Sequence, residues 1–437
     1  MAERKAAGRR NGNVLHKPRP TSPAAVKARF GRLFGKRYTR NNVDLLTPVH
    51  AAVMALRRSA KAIRGRGANI FTQWVGDPDA LGSAVLLEAI LRDLGAKDVR
   101  ILTGILGHPQ NRYLVERCGI VLHDPNTSRI PRGLNCMVDT SPPLGMSNTG
   151  PVQPVKEFFF VADHHADPEE VEENCRAQAV RTVRHAFVGL PVGSTSAFLA
   201  AMGFAFGVME QLGPEGRAAA ALGIYTDTSA LLHGATALDF RMFEKLTRDE
   251  ATIDLLDDLR DYRVPPEWFK YRSEAFLNVD VTGTVRVAPI GYVKEGFRDV
   301  IAEVASDLLR IEGTSIGIAV AVTEMGTEVS VRADSRLLRT QGERIVRVIE
   351  HLLEYTFPGV SGFKYDRRPP FRVEGGASVP YDAAQERLWK TGVNRSDGAS
   401  PDQRRSMLDH CRSIARGVIA ALEDLKFAKP EEIQGLL

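Results

Sequence analysis

The spacing of apolar residues predicts an α/β chain that is built in two parts. In the first part, from residue 47 to residue 246, short apolar runs alternate with segments whose apolar residues recur at helical spacing. The predicted strands cover residues 68–75, 99–102, 135–138 and 158–162, and the predicted helices cover residues 83–94, 195–212 and 218–225. Strands that alternate with helices are typical of a parallel sheet flanked by helices, and we predict such a sheet here.

The second part has a different order of elements. Residues 247–278 are highly charged and contain Pro265–Pro266, so we interpret them as a helical linker. The pattern then predicts a strand over 279–293, a helix over 298–309, a hairpin of 316–322 and 329–332, and helices over 342–353 and 402–425. We therefore expect a smaller α/β domain over residues 279–437.

The N-terminal residues differ from the rest in charge. Residues 1–46 are rich in Arg, Lys, Gly, Pro and Asn, and we predict a basic, flexible tail before a helix that begins at Thr47–Pro48. Residues 1–67 hold 17 of the 58 Lys and Arg residues and two acids, a net charge of +15, whereas the other 370 residues carry −10. An acidic body favours divalent cations over nonspecific nucleic-acid binding, although the tail could contact nucleic acid.

Cysteine content and hydropathy predict a cytoplasmic protein without a membrane span. The four cysteines are scattered and form no CxxC pair, which is typical of a reducing compartment. No apolar run approaches the roughly 18–20 residues that cross a bilayer. The N-terminus has no apolar segment of the kind that signal peptides carry, and its Arg-rich composition leaves an organellar transit peptide as an alternative.

Acids and histidines follow four of the predicted elements. Residues 76–83 (Gly-Asp-Pro-Asp-Ala-Leu-Gly-Ser) lie between a strand and a helix, so Asp77 and Asp79 could face a metal, or could be solvated turn acids. The other three positions are Asp139, the triplet Asp163-His164-His165, and Asp227. The carboxyl ends of parallel strands form the crevice in which such folds bind ligands. Four such termini in chain order predict a metal centre.

Together these residues resemble the DHH family of phosphoesterases, which includes RecJ-like nucleases, oligoribonucleases, cyclic-dinucleotide phosphodiesterases and family II inorganic pyrophosphatases. The resemblance covers roughly residues 68–245 well and the C-terminal half loosely. It implies two divalent cations, usually Mn²⁺, with Mg²⁺ or Co²⁺ as substitutes. By this resemblance Asp139 bridges the two cations and Asp77 binds the first. The implied ligands of the second are Asp79, His164 and Asp227.

The resemblance also implies roles in catalysis and substrate binding. His165 would contact the scissile phosphate, and Asp163 would orient the neighbouring histidines. The segment Gly193-Ser194-Thr195-Ser196 resembles the family's helix start, which makes Ser194 and Thr195 candidate substrate contacts. The reaction implied is hydrolysis of a phosphodiester or phosphomonoester of a small nucleotide or short oligonucleotide by two-metal water activation, in a chain that could form a homodimer.

One departure from the family pattern concerns the first metal. Family members usually carry a histidine four residues before the first acid of the loop, and this chain has Gln73 there. A neutral amide is a poorer ligand than imidazole, so we expect weaker binding of the first cation. His108 or His233 could substitute, although His233 is more typical of a loop histidine.

The C-terminal part is similar to the substrate-binding DHH-associated domain of the family. Arg332 and Arg336 are candidates for binding a phosphate or stacking on a base, and a surface strand arginine is the alternative. The family's glycine-rich loop is represented only by Gly375 and Gly376, without its histidine. Two alternatives therefore stay open: a pyrophosphatase or polyphosphatase of the same family, and a nucleotide-binding regulatory protein with weakened catalysis.

Overall fold

The protein is described by a computed structural model. It describes residues 22–124, 130–142, 155–165, 167–177, 180–324, 326–334, 361–365, 373–379, 381, 385 and 399–424. The chain divides into two compact units. The first comprises Met1–Leu106 and Asn111–Tyr262, and the second comprises Gly107–Gln110 and Arg263–Leu437.

The helices of the described residues are, in chain order, α1 Pro23–Phe34, α2 Lys36–Asn41, α3 Val43–Arg58, α4 Ala60–Ile63, α5 Pro78–Asp93, α6 Pro109–Arg117, α7 Pro168–Ala177, α8 Thr195–Phe206, α9 Gly213–Asp227, α10 Ala237–Leu246, α11 Glu250–Arg260, α12 Pro266–Leu277, α13 Val300–Leu308 and α14 Pro401–Asp424. A short 3₁₀ turn covers Glu295–Phe297. None of the helices in the described ranges combines the length and the apolar character that crossing a bilayer requires.

The first unit is built on a parallel sheet. Its strands are β1 Ala68–Phe71, β2 Val99–Leu102, β3 Leu122–His123, β4 Leu134–Val138, β5 Glu157–Phe158, β6 Phe160–Ala162, β7 Thr182–Val183 and β8 Ala186–Phe187. Within the described residues the order is β3-β2-β1-β4-β6-β8 with every pair parallel, and β5 pairs with β7 in a separate ribbon. The predicted parallel, helix-flanked sheet is confirmed. Its central strands β1, β4 and β6 are neighbours, so their carboxyl ends lie side by side.

The N-terminal prediction was wrong for residues 22–46. Helices α1 and α2 and the start of α3 occupy this segment, and α1 begins with Ser22 as its N-cap and Pro23 in its first turn. Val26, Phe30 and Phe34 have at most 1% of their surface exposed. Their four-residue spacing is that of an amphipathic helix, but the many basic residues between them obscured the pattern. Residues 1–21 of the predicted tail lie outside the described residues.

The segment predicted as a linker, residues 247–278, contains two helices that belong to different units. Helix α11 packs in the first unit, where Leu255, Leu256 and Leu259 join the main hydrophobic core. Helix α12 lies in the second unit, where Trp268 is fully buried. The division between the units therefore falls between the two helices, at Tyr262 and Arg263.

The second unit contains a mixed sheet. Its described strands are β9 Asp280–Thr282, β10 Val285–Tyr292, β11 Ile316–Val322, β12 Thr327–Ala333, β13 Ser361–Tyr365 and β14 Val373–Val379, in the order β13-β14-β12-β11-β10-β9. Strands β10 and β11 are parallel, and the other neighbours among these strands are antiparallel. Val285 and Val287 pack in a core with α14, whereas Ala288 and Ile290 pack in a core with α12 and α13. The expected smaller α/β unit is confirmed, and the helix predicted over 342–353 lies outside the described residues.

Candidate metal centre

The first acid of the site, Asp77, caps helix α5. Its Oδ1 accepts a hydrogen bond of 2.8 Å from the backbone N–H of Ala80, and Pro78 occupies the first turn, which is the usual chemistry of a helix start. The side-chain amide of Gln73 donates a hydrogen bond to Oδ2. Gln73, at the position where the resemblance predicted a histidine, is therefore bonded directly to Asp77.

The second acid, Asp79, is held by the N-terminus of helix α8. Its carboxylate accepts backbone hydrogen bonds from Thr195 (2.7 Å) and Ser196 (2.8 Å). These N–H groups have no partner inside the helix, and the helix dipole favours a negative charge at this end. Asp79 is 1% exposed. Burial, and then the charge of Asp227, raise the pKa of Asp79 to about 6.

Two glycines bring Asp227 close to the start of α5. A Cβ on Gly82 of α5 would lie 2.7 Å from the carbonyl oxygen of Ala219, and a Cβ on Gly223 of α9 would lie 2.8 Å from that of Pro78. Only glycine permits backbones to approach this closely. Because Asp227 is the last residue of α9, this contact places its carboxylate at the beginning of α5.

Asp139 is buried and follows β4 directly. Its φ of 57° lies in the left-handed region, which is uncommon for a residue with a side chain and concentrates at functional sites. Oδ1 accepts a hydrogen bond of 2.9 Å from Thr195 Oγ1, whereas Oδ2 is buried without a hydrogen-bond partner among the described residues. Burial and the nearby charges of Asp79 and Asp77 hold the pKa of Asp139 well above its usual value.

The imidazole of His164 lies among three carboxylates. Its Nε2 is 2.9 Å from Asp227 Oδ2. The same atom is 3.6 Å from Asp139 Oδ1 and 3.9 Å from Asp79 Oδ2. Burial alone would lower the pKa of His164, but these carboxylates, led by that of Asp227, outweigh burial and raise it to about 9. The cluster therefore attracts positive charge at one point.

His165 is fixed by the first residue of its own triplet. Oδ1 of Asp163 accepts hydrogen bonds of 3.0 Å from both the backbone N–H and Nδ1 of His165, and Oδ2 accepts one of 2.6 Å from Ser141 Oγ. Burial would raise the pKa of Asp163, but these bonds and the charge of His165 lower it to about 2. A carboxylate only accepts hydrogen bonds, so Nδ1 must carry the proton of this pair.

Two groups of side chains in the described part of the chain lie close enough to hold a metal ion. In each group the ligand atoms lie within 4.8 Å of one another, and the groups are Asp139 with His164 and His165, and Asp79 with His164 and Asp227. Five of the predicted site residues therefore meet at one place. Among the described residues, neither group includes Asp77, which bonds to Gln73 beside them.

Ser194 and Thr195, expected to contact substrate, bond to carboxylates in the structure. Thr195 donates its hydroxyl to Asp139, and Ser194 is the N-cap of α8, accepting from the backbone of Ala197 (3.2 Å) and donating to Asp239 Oδ1 (2.9 Å). Both side chains are fully buried. These contacts give them a role in positioning the acids, and contact with substrate stays a prediction.

Sequence reasoning missed Asp239, which secures the start of α8. Its fully buried carboxylate also accepts hydrogen bonds from the backbone of Gly193 (2.8 Å) and from the backbone and hydroxyl of Thr236 (2.8 and 2.6 Å). The available signal was Thr236-Ala-Leu-Asp239, a capping-box pattern at the start of α10. Ser141, which holds Asp163, was missed as well, and its position two residues after Asp139 was the available signal.

Of the two histidines considered as substitute ligands, His108 has both ring nitrogens bonded within the second unit. In the second unit, His108 Nε2 lies 2.7 Å from Glu303 Oε1, and Nδ1 accepts a hydrogen bond of 3.1 Å from the backbone of Gln110. His233 donates its backbone N–H to the carbonyl oxygen of Thr228 at 2.9 Å, in the turn after α9. Both ring nitrogens of His108 are thus committed within the second unit.

The candidate substrate residues of the C-terminal part lie on strands. Arg332, on β12, bonds to the hydroxyl of Ser330 (3.3 Å) and to the carbonyl oxygen of Val331 (3.1 Å). The expected glycine loop is strand β14, in which Gly375 and Gly376 pair with Val331 and Ser330. The loop was wrongly predicted because glycine is rare in strands; at Gly376 a Cβ would lie 2.9 Å from the carbonyl oxygen of Val329. Arg336 lies outside the described residues.

Comparisons with known proteins show the fold. No family model matches the chain. The uncharacterized protein MJ1633 of Methanocaldococcus jannaschii is 25% identical over 279 residues, which are 62% of this chain and about half (52%) of that protein. An exopolyphosphatase-related protein from Bacteroides fragilis superposes with a TM-score of 0.54 at 12% identity, covering 86% of this chain and 97% of the other. The chain therefore shares the α/β architecture of that protein.

Proposed function

We propose that this chain is a divalent-metal-dependent phosphoesterase of the DHH type. The observation that carries the proposal is the meeting of Asp79, Asp139, His164 and Asp227 around one point, with His165 at its exposed side. Metal-dependent phosphoryl hydrolysis needs such a set, because the developing negative charge must be neutralised beside a group that binds the phosphate.

The residues fit divalent cations. Asp139 Oδ2 is a buried acceptor without a hydrogen-bond partner in the described part of the chain. Burial and the charges of neighbouring carboxylates raise the pKa of both Asp79 and Asp139, and a bound cation would reverse this effect. Carboxylate and imidazole ligands suit Mn²⁺, and carboxylates also suit Mg²⁺.

The proposal assigns these side chains to two cations. Asp79, His164 and Asp227 would hold one, Asp77 would hold the other, and Asp139 would contribute to both. When bound, the cations would polarise a phosphoryl oxygen and activate water. The hydrogen bond between Gln73 and Asp77 occupies one oxygen of the ligand of the first cation. We therefore expect this cation to bind more weakly than the second.

The protein's own groups set the geometry of the reaction. The N-terminus of α8 fixes both oxygens of Asp79, and Thr195 orients Asp139, so the acids need little reorganisation on loading. Asp163 accepts from Nδ1 of His165 and leaves Nε2 to face a ligand. In its protonated form His165 would donate this Nε2 hydrogen bond to a phosphoryl oxygen.

The proposed substrate is a phosphodiester or phosphomonoester of a small nucleotide or short oligonucleotide. If the chain is a DHH-type enzyme, Arg332 would contact this substrate. Polyphosphate is a second candidate, which the name of the Bacteroides fragilis protein favours. A nucleotide-binding regulatory protein is the third, which Gln73 favours because it weakens one metal site.

The test measures hydrolysis by the full chain after metal removal and reloading with Mn²⁺. The substrates are a 5′-phosphorylated dinucleotide, bis-p-nitrophenyl phosphate, pyrophosphate and tripolyphosphate, and the variants are Asp139→Ala and, as a matched exposed acid, Asp261→Ala. We expect Mn²⁺-dependent product release that Asp139→Ala abolishes and Asp261→Ala preserves. Equal turnover by both variants would exclude the site around Asp139 as the site of hydrolysis. Nucleotide binding without turnover would favour the regulatory protein.

A further inference from the structure

A second polar cluster lies in the first unit, between α1 and α3. The rings of Phe30 (α1) and His50 (α3) meet edge to face at 6.2 Å between centroids. Nδ1 of His50 and Nη1 of Arg29, the residue before Phe30, are both buried, and neither has a hydrogen-bond partner among the described residues. His50 as a whole is 8% exposed. The helix pair therefore buries two polar nitrogens that the described part of the protein does not satisfy.

The surroundings of these nitrogens are positively charged. Arg57 and Arg58 follow His50 by seven and eight residues, which places them on the same face of α3, and both are exposed. Burial, and then the charges of Arg29 and Arg58, lower the pKa of His50. Residues 22–67 contain 11 Lys or Arg residues and a single acid, Asp44. The segment carries positive charge without internal compensation.

The cluster lies toward the C-terminal end of α8, at the other end of that helix from the metal centre. Phe30 stacks on Phe34 at 5.4 Å, and Phe34 meets Phe204 of α8 at 6.4 Å. Arg57 donates to the carbonyl oxygen of Ala205 at 3.0 Å. Helix α8 is about 17 Å long at 1.5 Å per residue. A group bound here would therefore be separate from the phosphate that is hydrolysed.

A neighbouring helix adds positive charge to the same end of α8. Lys245 of α10 lies over the rings of Phe204 (4.7 Å) and Phe34 (5.6 Å). The adjacent acid, Glu244, is paired with Arg241 and Arg248. Glu244, the carboxylate next to Lys245 in sequence, is thus already paired and does not neutralise the charge of Arg29.

We infer that Arg29 and His50, with Arg58 at the surface, form a second binding site for a phosphate group. A phosphate dianion offers several acceptor oxygens, so it can accept from Arg29 Nη1 and from the Nδ1–H tautomer of His50 together. Its charge offsets arginines that otherwise repel one another. The phosphate can be a free ion or part of a chain molecule, since both present the same oxyanion.

The test measures phosphate binding to the full chain by calorimetry after metal removal. The probes are inorganic phosphate, tripolyphosphate and a 5′-phosphorylated dinucleotide, and the variants are Arg29→Met and His50→Phe. The matched control is Arg32→Met, an exposed arginine of the same helix. Loss of a charge-assisted hydrogen bond predicts about 10- to 100-fold weaker binding in the two variants and unchanged binding in the control.

The probes identify the source of the phosphate, and a metal-centre variant separates the two sites. Preference for inorganic phosphate indicates a free ion, and tighter binding of either chain molecule indicates docking of that molecule. Asp139→Asn should leave this binding unchanged, and Arg29→Met should leave Mn²⁺-dependent hydrolysis of bis-p-nitrophenyl phosphate unchanged. Equal affinity in Arg29→Met and Arg32→Met, or no binding of any probe, overturns the inference. Arg29 is only partly buried, so its variant serves if His50→Phe does not fold.

Discussion

The two ends of helix α8 bind side chains of opposite charge. The helix itself contains no charged residue. At its N-terminus, the backbone N–H groups of Thr195 and Ser196 hold the carboxylate of Asp79. At its C-terminal end, the carbonyl oxygen of Ala205 accepts from Arg57. Both arrangements agree with the helix dipole, which favours anions at the first end and cations at the second.

The difference between the ends lies in the charge that remains. At the N-terminal end the carboxylates exceed what the helix stabilises, and Asp139 Oδ2 has no hydrogen-bond partner among the described residues. Near the C-terminal end the uncompensated charge is positive. Arg29 Nη1 is buried there without a hydrogen-bond partner among the described residues. The sign of the uncompensated group indicates the ligand: divalent cations at one end, and a phosphate at the other.

The largest expected effect is that of Asp139→Asn at the N-terminal end. The pKa of Asp139 in the folded protein is raised, so at neutral pH its ionised form destabilises the metal-free fold, and the neutral amide should raise the melting temperature without metal. If Asp139 is a metal ligand as proposed, its loss should lower kcat by about 10³-fold or more. Thermal unfolding without metal checks the first effect, and turnover with Mn²⁺ checks the second. A metal-free melting temperature below that of wild type would contradict the repulsion argument.

Much of the candidate metal centre could be predicted from the sequence because its residues lie at the ends of helices and strands. Asp139 and the triplet that begins at Asp163 each follow a buried strand, and parallel strands bring their carboxyl ends together. The contact of Asp79 with α8 could not be predicted, because it joins residues 116 positions apart through backbone N–H groups. Such a contact depends on where α8 begins in space, which the local pattern does not determine.

The basic helices near the C-terminal end of α8 could not be predicted from the sequence for a different reason. The basic composition of residues 1–46 is typical of a flexible tail, and it obscures the helical spacing of Val26, Phe30 and Phe34. The core that stabilises α1 comes from distant parts of the chain, such as Phe204. A basic helix that packs against an apolar partner is hard to distinguish from a disordered segment by charge alone.

A smaller effect is expected from Asp239→Asn, which acts on the N-terminal end of α8 without contacting a metal ligand. The amide cannot accept all of the hydrogen bonds from Gly193, Ser194 and Thr236, so the helix start should shift and misplace Asp79. Groups that orient metal ligands typically contribute 10- to 100-fold, and we expect about that loss in Mn²⁺ affinity. Metal titration checks it, and Thr236→Ser, which keeps the hydroxyl, is the matched control. Unchanged affinity would show that Asp239 does not position the metal ligands.

Gln73→His tests how far the first cation depends on the missing imidazole. The variant removes the amide that now bonds to Asp77 and adds a nitrogen ligand, so Mn²⁺ should bind the first site about tenfold more tightly. The electron paramagnetic resonance spectrum should then show coupling of two Mn²⁺ ions at lower metal concentrations. Gln73→Asn, with a shorter amide, controls for loss of the existing bond. The same affinity in Gln73→His and in wild type would show that Gln73 does not limit binding.

The smallest effect is expected at the C-terminal end of α8, from Arg57→Met. The variant removes the hydrogen bond to the carbonyl oxygen of Ala205 and the positive charge that complements the helix dipole there. The free energy of unfolding should fall by about 0.3–1 kcal/mol, which is typical of a charge at a helix terminus. Chemical denaturation measures it against Arg58→Met, which removes the neighbouring exposed charge. Because the metal centre lies at the opposite end of α8, kcat should not change; a fall in kcat would mean that the two ends are coupled through the helix.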